Sequence, residues 1–419
     1  MANDNKYIPA LRFPEFQNDG EWKDTPLGQV FFRITKRNSL NNQNVLTISA
    51  QYGLISQYDY FNKNVAAIDV SNYYHISKYD FAYNKSKSQG YPYGAIKPLK
   101  LYENGVVSPL YICFRIKDEK LFVNTFFEYY FESELIHKEI DKISQEGARN
   151  HGLLNISTKD FFDNITLYIP SYLEQQKIAD CFVSIDKEID ATKRKLEQLK
   201  EHKNGLMQRL FPAKGKTTPE LRFPEFQSDG EWRTMLLGEI TSIVNRRNKS
   251  NRSLPIYSIN NTDGFVPQSQ QFIGMDSEAR GYDISAYKII GKHTFAYNPA
   301  RINVGSIGYS GELKDILISS LYVCFKTADD VDDNFLMCFF NSYIFNQAVE
   351  SSVEGGIRSY LFYENFSRIS IAIPSLYEQK RIALCITSIE DMIKNANEQI
   401  NLLEKHKKGL LQQLFPTIK

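Results

Sequence analysis

Residues Glu174–Pro212 and Glu378–Pro416 align over 39 positions without a gap, and 17 of those positions are identical. Their seam positions follow one rule. In the first copy they are Ile178, Phe182, Ile185, Ile189, Thr192, Leu196, Leu199, Lys203, Leu206 and Leu210. In the second they are Ile382, Ile386, Ile389, Ile393, Ala396, Ile400, Leu403, Lys407, Leu410 and Leu414. Steps of 4 and 3 alternate throughout, which is the seam of a coiled coil. Each seam covers 33 residues, roughly 50 Å at about 1.5 Å per residue. A single stripe that long needs a partner helix, and the other copy supplies one. Both seams weaken at the same two rungs, Thr192/Ala396 and Lys203/Lys407. Small or polar seam residues fix register and orientation at some cost in stability. Each helix starts after Pro-Ser (Pro170-Ser171, Pro374-Ser375) and ends at Phe-Pro. Serine is a good N-cap, and proline cannot continue a helix. The near-symmetry of the two copies favours antiparallel pairing about a pseudo-twofold axis.

The repeat extends over the whole sequence. LRFPEFQNDGEW at Leu11–Trp22 recurs as LRFPEFQSDGEW at Leu221–Trp232. FAYN (Phe81–Asn84 and Phe295–Asn298), LYICF/LYVCF (from Leu110 and Leu321) and IPSYLEQQKIA/IPSLYEQKRIA (from Ile169 and Ile373) follow in the same order. The offset is 210 at Trp22, 214 at Phe81, 211 at Leu110 and 204 from Pro170 onward. Insertions and deletions therefore fall before each long helix. At 419 residues the chain is too long for one ordinary core. The expected division is a first domain over 1–173, a helix over 174–212, a polar linker over 213–218, a second domain over 219–377 and a helix over 378–416. Gly53 in LTISAQYGLIS and Gly264 in YSINNTDGFVP sit where a hairpin turn needs glycine. LY(I/V)CF reads as a buried strand, and single helices are expected near Phe122–Ser144 and Asn334–Val353. The fold class is α+β: two tandem pseudo-symmetric α/β domains separated by a long antiparallel two-helix coiled coil. The opening dozen is too similar between halves to distinguish two ligands. It reads as a structural anchor, with Phe13, Phe16 and Trp22, and Phe223, Phe226 and Trp232, packed on the helices or the domain core.

No catalytic equipment is visible. There is no GxxxxGK[ST], no GxGxxG after a strand and no HExxH. His151, His202, His293 and His406 show no ligand spacing, so no metal site is expected. Five cysteines form no CxxC pair, which argues against a disulfide framework or zinc. Neither a signal pattern nor an apolar run of membrane length is present, so a soluble cytoplasmic protein without membrane partners is expected. The formal charge is +1, so any nucleic-acid contact must come from local basic patches.

Such patches occur at matching places with different contents. The loops after FAYN read KSKSQGYPYG (Lys85–Gly94) and PARINVGSIG (Pro299–Gly308). Basic segments follow the Leu-Gly of each half: Lys36 and Arg37 in the first, Arg246, Arg247 and Lys249 in the second. Variable polar loops on a repeated scaffold are a way to diversify a binding surface. Lys85, Lys87, Gln89, Arg301 and Asn303 are the candidates for base or groove contact, since Arg and Lys match guanine, and Asn and Gln match adenine. Gly90 and Gly305 allow close backbone approach. Lys36, Arg37, Arg149, Arg246, Arg247, Lys249 and Arg358 are the candidates for backbone phosphate.

A duplicated variable domain followed by IPS-x-x-EQ-x-x-IA and a heptad helix, over essentially the whole chain, resembles the specificity subunit of type I restriction–modification systems. That resemblance implies that each variable part is a target recognition domain reading one half of a bipartite, asymmetric double-stranded DNA sequence. It implies that the paired helices set the unread spacer. Two modification (methyltransferase) subunits would dock on the chain, and restriction subunits (translocase and endonuclease) would join them. S-adenosylmethionine, ATP and Mg are then expected in the partners, with no cofactor and no catalysis in this chain. A ~50 Å separation corresponds to about 15 base pairs at 3.4 Å each, more than one helical turn. The competing readings are a coiled-coil scaffold joining protein partners without DNA, and a self-sufficient nucleic-acid-modifying enzyme, which the missing motifs disfavour.

Overall fold

The computed structural model describes residues 7–49, 52–62, 69–88, 90–144, 154–271, 276–352 and 360–417. The chain forms two compact units. The first comprises Met1–Lys193 with Glu398–Lys419, and the second Arg194–Asn397. Each unit therefore contains part of both long helices.

In the first unit, strands Phe31–Arg33, Ile112–Ile116, Phe81–Asn84 and Ala95–Pro98 form an antiparallel sheet in that spatial order. FAYN lies at its centre, with Phe81, Ala82 and Tyr83 all buried, so both faces of this strand are covered. Hairpin Leu46–Ser49/Gly53–Ser56 turns at Gly53, whose φ is +70°. Lys23–Pro26 pairs antiparallel with Thr166–Ile169, which leads directly into the first long helix. The second unit repeats this plan. Thr241–Ile243, Val323–Thr327, Phe295–Tyr297 and Ile307–Tyr309 form its central sheet, and Arg233–Leu236 pairs with Ser370–Ile373. Gly264, at φ +64°, turns its hairpin.

Each single helix expected after LY(I/V)CF is in fact two. Asn124–Tyr130 is followed by Glu134–Ile143, and Asp333–Phe340 by Tyr343–Ser352. A buried serine marks both breaks. Ser133 Oγ donates to the Tyr130 carbonyl and Ser342 Oγ to the Phe339 carbonyl, each at 2.6 Å. Local side-chain bonding of this kind competes with helix continuation.

The long helices run Tyr172–Leu210 and Leu376–Gln413. Ser171 Oγ accepts from Glu174 N–H and Ser375 Oγ from Glu378 N–H, at 3.4 and 3.3 Å, so serine does cap each start. In the first unit the start of the first helix runs antiparallel to the end of the second. Lys407 Nζ lies 2.5 Å from Asp186 Oδ1, and Lys193 Nζ 2.8 Å from Glu404 Oε1. In the second unit Lys203 Nζ lies 2.5 Å from Glu390 Oε1. Asp186 and Glu390 are equivalent in the repeat, as are Lys407 and Lys203. The two polar rungs thus read each other's acid, an arrangement available only to antiparallel strands of a duplicated sequence. Parallel pairing would set lysine against lysine. No seam position is exposed: Ile178, Phe182, Ile189, Leu196, Leu210, Ile382, Ile386, Ile389, Ile400 and Leu414 are buried, and Ile185, Leu199, Leu206, Ile393, Leu403 and Leu410 half-buried.

The repeated opening dozen is a clip between helix ends. In the first unit Leu11 N–H donates to the Gln413 carbonyl at 2.9 Å. The neighbouring Arg12 makes a two-pronged bond to Glu174, in the first turn of the other helix, at 2.8 and 2.7 Å. Trp22 Nε1 reaches the same carboxylate at 3.4 Å. Burial opposes the charge on Arg12, but its bonds to Glu174 outweigh this and raise its pKa. The second unit does the same with Leu221 on the Arg209 carbonyl and Arg222 on Glu378. The aromatic residues share the work unequally: Trp22, Trp232 and Phe226 are buried, while Phe13, Phe16 and Phe223 are half-buried. The glutamine beside each glutamate has its own task. Gln175 Oε1 accepts from Val123 N–H, and its amide donates to the Leu121 and Pro170 carbonyls. Gln379 does likewise with Asp332, Asp330 and Pro374.

Candidate nucleic-acid interface

The basic segments are built on a buried asparagine present in both units. Asn38 Nδ2 donates to the Asn42 and Val70 carbonyls, and its Oδ1 accepts from Asn42 N–H. Asn248 makes the same three bonds to Arg252 and Ile284. The two residues before each asparagine are Lys36-Arg37 and Arg246-Arg247, and all four side chains are exposed. Their backbone is pinned to the neighbouring segment: His75 N–H donates to the Lys36 carbonyl, and Ile289 N–H to that of Arg246. Arg37 stacks over the Tyr74 ring, 4.5 Å from its centroid, and Arg33 Nη2 reaches the Tyr74 hydroxyl at 3.3 Å. Arg115, paired with the buried Asp80, and the exposed Lys36 act on His75, whose pKa is lowered first by burial and then by Lys36. Arg33 thus joins the basic face, while the lowered pKa keeps His75 uncharged and Asp80 offsets the charge of Arg115. Sequence reasoning passes over His75 and Arg115 because the strands that bring them beside Lys36 are distant in the chain. Lys249 is exposed on the loop that Asn248 closes.

The loops after FAYN are framed alike and filled differently. Leu154 N–H donates to the Lys85 carbonyl and Leu361 N–H to the Pro299 carbonyl, both at 3.0 Å. Within the first loop Lys85 turns inward: its Nζ donates to the Ile156 carbonyl at 3.3 Å, and burial lowers its pKa. Lys87 is exposed, as is Gly90, whose φ is +81°. Tyr91 Oη donates to Glu132, which also pairs with Lys97. Burial disfavours the Lys97 ammonium, yet Glu132 and Tyr91 outweigh this and raise its pKa. The second loop is a single 3-10 turn at Ile302–Val304 closed by Gly305 at φ +85°. Arg301 and Asn303 are exposed on it. Gln89, Arg149 and Arg358 lie outside the described residues.

Gly94 shows how tightly the first loop is closed. Its φ is +75°, and a Cβ there would fall 2.2 Å from the Asn84 carbonyl oxygen. Tyr83 Oη, itself buried, donates to the adjoining Tyr93 carbonyl at 2.8 Å. Gly94→Ala is therefore expected to cost about 2–4 kcal/mol, left-handed backbone and overpacking together. Gly90→Ala meets no atom within 4 Å and is expected to cost only about 1–2 kcal/mol. Urea midpoints of the two variants check the ordering.

Among the described residues no group of acidic, histidine and cysteine side chains could hold a metal ion, and no helix is long and apolar enough to cross a membrane. Burial pushes the thiols of Cys113, Cys324 and Cys338 up to about 12, so these behave as small apolar core residues.

Comparison with known proteins narrows the reading. Residues 230–405 match the profile of the type I restriction modification DNA specificity domain. A putative type I restriction enzyme specificity subunit of Methanocaldococcus jannaschii, MjaX, is 24% identical over 294 residues, 66% of this chain and 64% of the relative. The MjaVIII specificity subunit of the same organism is also 24% identical, over 61% of this chain and 63% of its own length. The chain thus spans somewhat under two thirds of the curated relatives it matches. Among solved structures, the S subunit of a type I restriction–modification system from M. genitalium superposes with a TM-score of 0.57. It covers 98% of this chain and 100% of its own, at 14% identity, and so establishes a shared fold. The profile and the curated relatives are both described as type I restriction–modification specificity proteins, and the chain shares the fold of one such S subunit.

Proposed function

We propose that the chain is the DNA-targeting subunit of a type I restriction–modification complex, with each unit reading one half of a bipartite, asymmetric duplex target. One observation carries this reading: the units share a basic pair on the same asparagine lock but differ in the loops that follow FAYN. Contacts to phosphate position a protein on DNA, whereas contacts to base edges specify sequence. In this reading Lys36, Arg37, Arg246, Arg247 and Lys249, with Arg149 and Arg358, serve the backbone. Lys87, Gln89, Arg301 and Asn303 meet bases, with Gly90 and Gly305 allowing approach, and Lys85 fixes its loop to Ile156. The recognition domains are 1–173 and 219–377, joined to the helices 174–212 and 378–416 through the linker 213–218. The helices set the spacer and dock two modification subunits. Those partners, with restriction subunits where present, supply S-adenosylmethionine, ATP and Mg in the cytoplasm, and the chain itself performs no catalysis.

Exchanging residues 11–169 for the same region of a relative tests the reading. The expected result, read by mapping methylated adenines in cells expressing the chain with its partners, is a target changed in one half only. A target changed in both halves, or in neither, would contradict it.

A further inference from the structure

One site differs between the two units in a way that the duplication makes measurable. After Leu-Phe-Pro of the first long helix, residues 213–217 pass over a cleft of about 340 Å³ in the second unit. Its lining includes Phe211, Ile344 and Gln347 and the strand residues Ile371 and Ala372. At the equivalent place in the first unit, beside Phe415, Leu135 and Lys138, only about 20 Å³ is open.

Four residues lining the cleft are smaller than their counterparts in the first unit. Trp22 N–H donates to the Tyr7 carbonyl and Trp232 N–H to that of Thr217, so Tyr7 and Thr217 are equivalent. Strand pairing likewise equates Tyr168 with Ala372, opposite Asp24 and Thr234. The helices starting at Glu134 and Tyr343 equate Glu139 with Ala348 and Lys142 with Ser351. In the first unit Tyr7 stacks on Tyr168 with centroids 4.0 Å apart. Glu139 is buried, accepting from Thr166 N–H and pairing with Lys142. In the second unit all four positions are small. Ser351 is exposed and Thr217, Ala348 and Ala372 are half-buried, so the four small residues leave a cleft that is open to solvent and able to admit a side chain.

We propose that this cleft in the second unit is a docking site for an acidic segment of a partner protein that carries one aromatic side chain. The first unit supplies the argument for the ring, since an aromatic stack fills the same place there. Charge supplies the argument for the acidic flanks. Lys214, Lys216 and Arg368 line the cleft, and no aspartate or glutamate does. Arg368 is paired with Glu364 on the exposed side, which leaves the two lysines of the overpassing loop as the main attraction. Among the described residues of the first unit, the Tyr7–Tyr168 stack takes the equivalent place. A pseudo-symmetric chain would thereby hold one partner segment rather than two. This proposal is independent of how the loops read DNA.

The test uses the full chain and a fluorescein-labelled peptide with one tyrosine between acidic residues, followed by anisotropy. Thr217→Tyr with Ala372→Tyr copies the first unit's stack and is expected to weaken binding roughly tenfold or more, as is tyrosine-to-alanine substitution in the peptide. Lys214→Glu with Lys216→Glu is expected to weaken it similarly and to flatten its salt dependence. If the filled chain melts abnormally, Ala348→Glu with Ser351→Lys closes the cleft from the opposite wall and takes its place. Equal binding by the filled chain, equal binding of the tyrosine-free peptide, or no binding of either peptide would overturn the proposal.

Discussion

Replacing Phe415 with alanine is expected to destabilise the first unit by about 3–5 kcal/mol, the usual cost of deleting a buried phenylalanine ring. The ring is 2% exposed and, with Leu414, joins a buried core whose other members all lie between Trp22 and Phe182. It meets Trp22, Phe126, Tyr130 and Phe182 at centroid distances of 5.9, 5.7, 5.8 and 6.2 Å. Phe211 occupies the matching place in the second unit against Phe335, Trp232 and Phe339. The damage should therefore be confined to one unit. Hydrogen exchange reads this directly: amides of Asn124–Tyr130 and Thr166–Ile169 should exchange roughly a hundred to a few thousand times faster. Amides of Asp333–Phe340 should be unaffected. A uniform change across both units would contradict the assignment of Phe415 to the first core.

Glu174→Ala should be comparably severe. Its carboxylate is 1% exposed and binds a guanidinium that is itself 7% exposed. Removing one member of a buried pair leaves the other charge uncompensated, at about 3–5 kcal/mol. Here the Trp22 indole also loses its acceptor. Glu378→Ala should behave likewise in the second unit but cost about 1 kcal/mol less, one hydrogen bond's worth, because Trp232 Nε1 is already without a partner there. Replacing both members, Arg12→Met with Glu174→Leu, should recover most of the loss, since a buried pair often breaks even against apolar residues. Thermal melts of the single and double variants form the cycle. A double variant as unstable as Glu174→Ala alone would show that the clip contributes more than charge compensation.

The parts legible in the sequence were those governed by period. Alternating steps of 4 and 3 gave both long helices, and every seam position is at least half-buried. Glycine at the tip of an alternating run gave both hairpins. What remained hidden depends on residues far apart in the chain. Arg12 and Glu174 are 162 positions apart, and each alone reads as a solvated charge. The same limit applies to Asn38. It stands in a basic run, whereas its side chain is buried and bonded within the protein, twice to Asn42 across a turn and once to the Val70 carbonyl. Its duplicate at Asn248, inside an otherwise divergent segment, was the available signal. The helix breaks at Ser133 and Ser342 were signalled too, by a serine at the same place in both halves followed by a new amphipathic run.

The first unit's assembly from two separated stretches has a consequence for synthesis. Residues 194–397 form the second unit from one continuous stretch, so it can close as soon as it leaves the ribosome. The first cannot, because Phe415 and the Gln413 carbonyl follow that entire stretch. At about 5–20 residues per second, the core around Trp22 and Phe182 waits roughly 10–45 s for its missing ring. During that interval Ile178 and Phe182 lie on an uncovered stripe, open to chaperones or to another nascent chain. The order of completion runs against the order of translation, and the half made first is finished after the half made second.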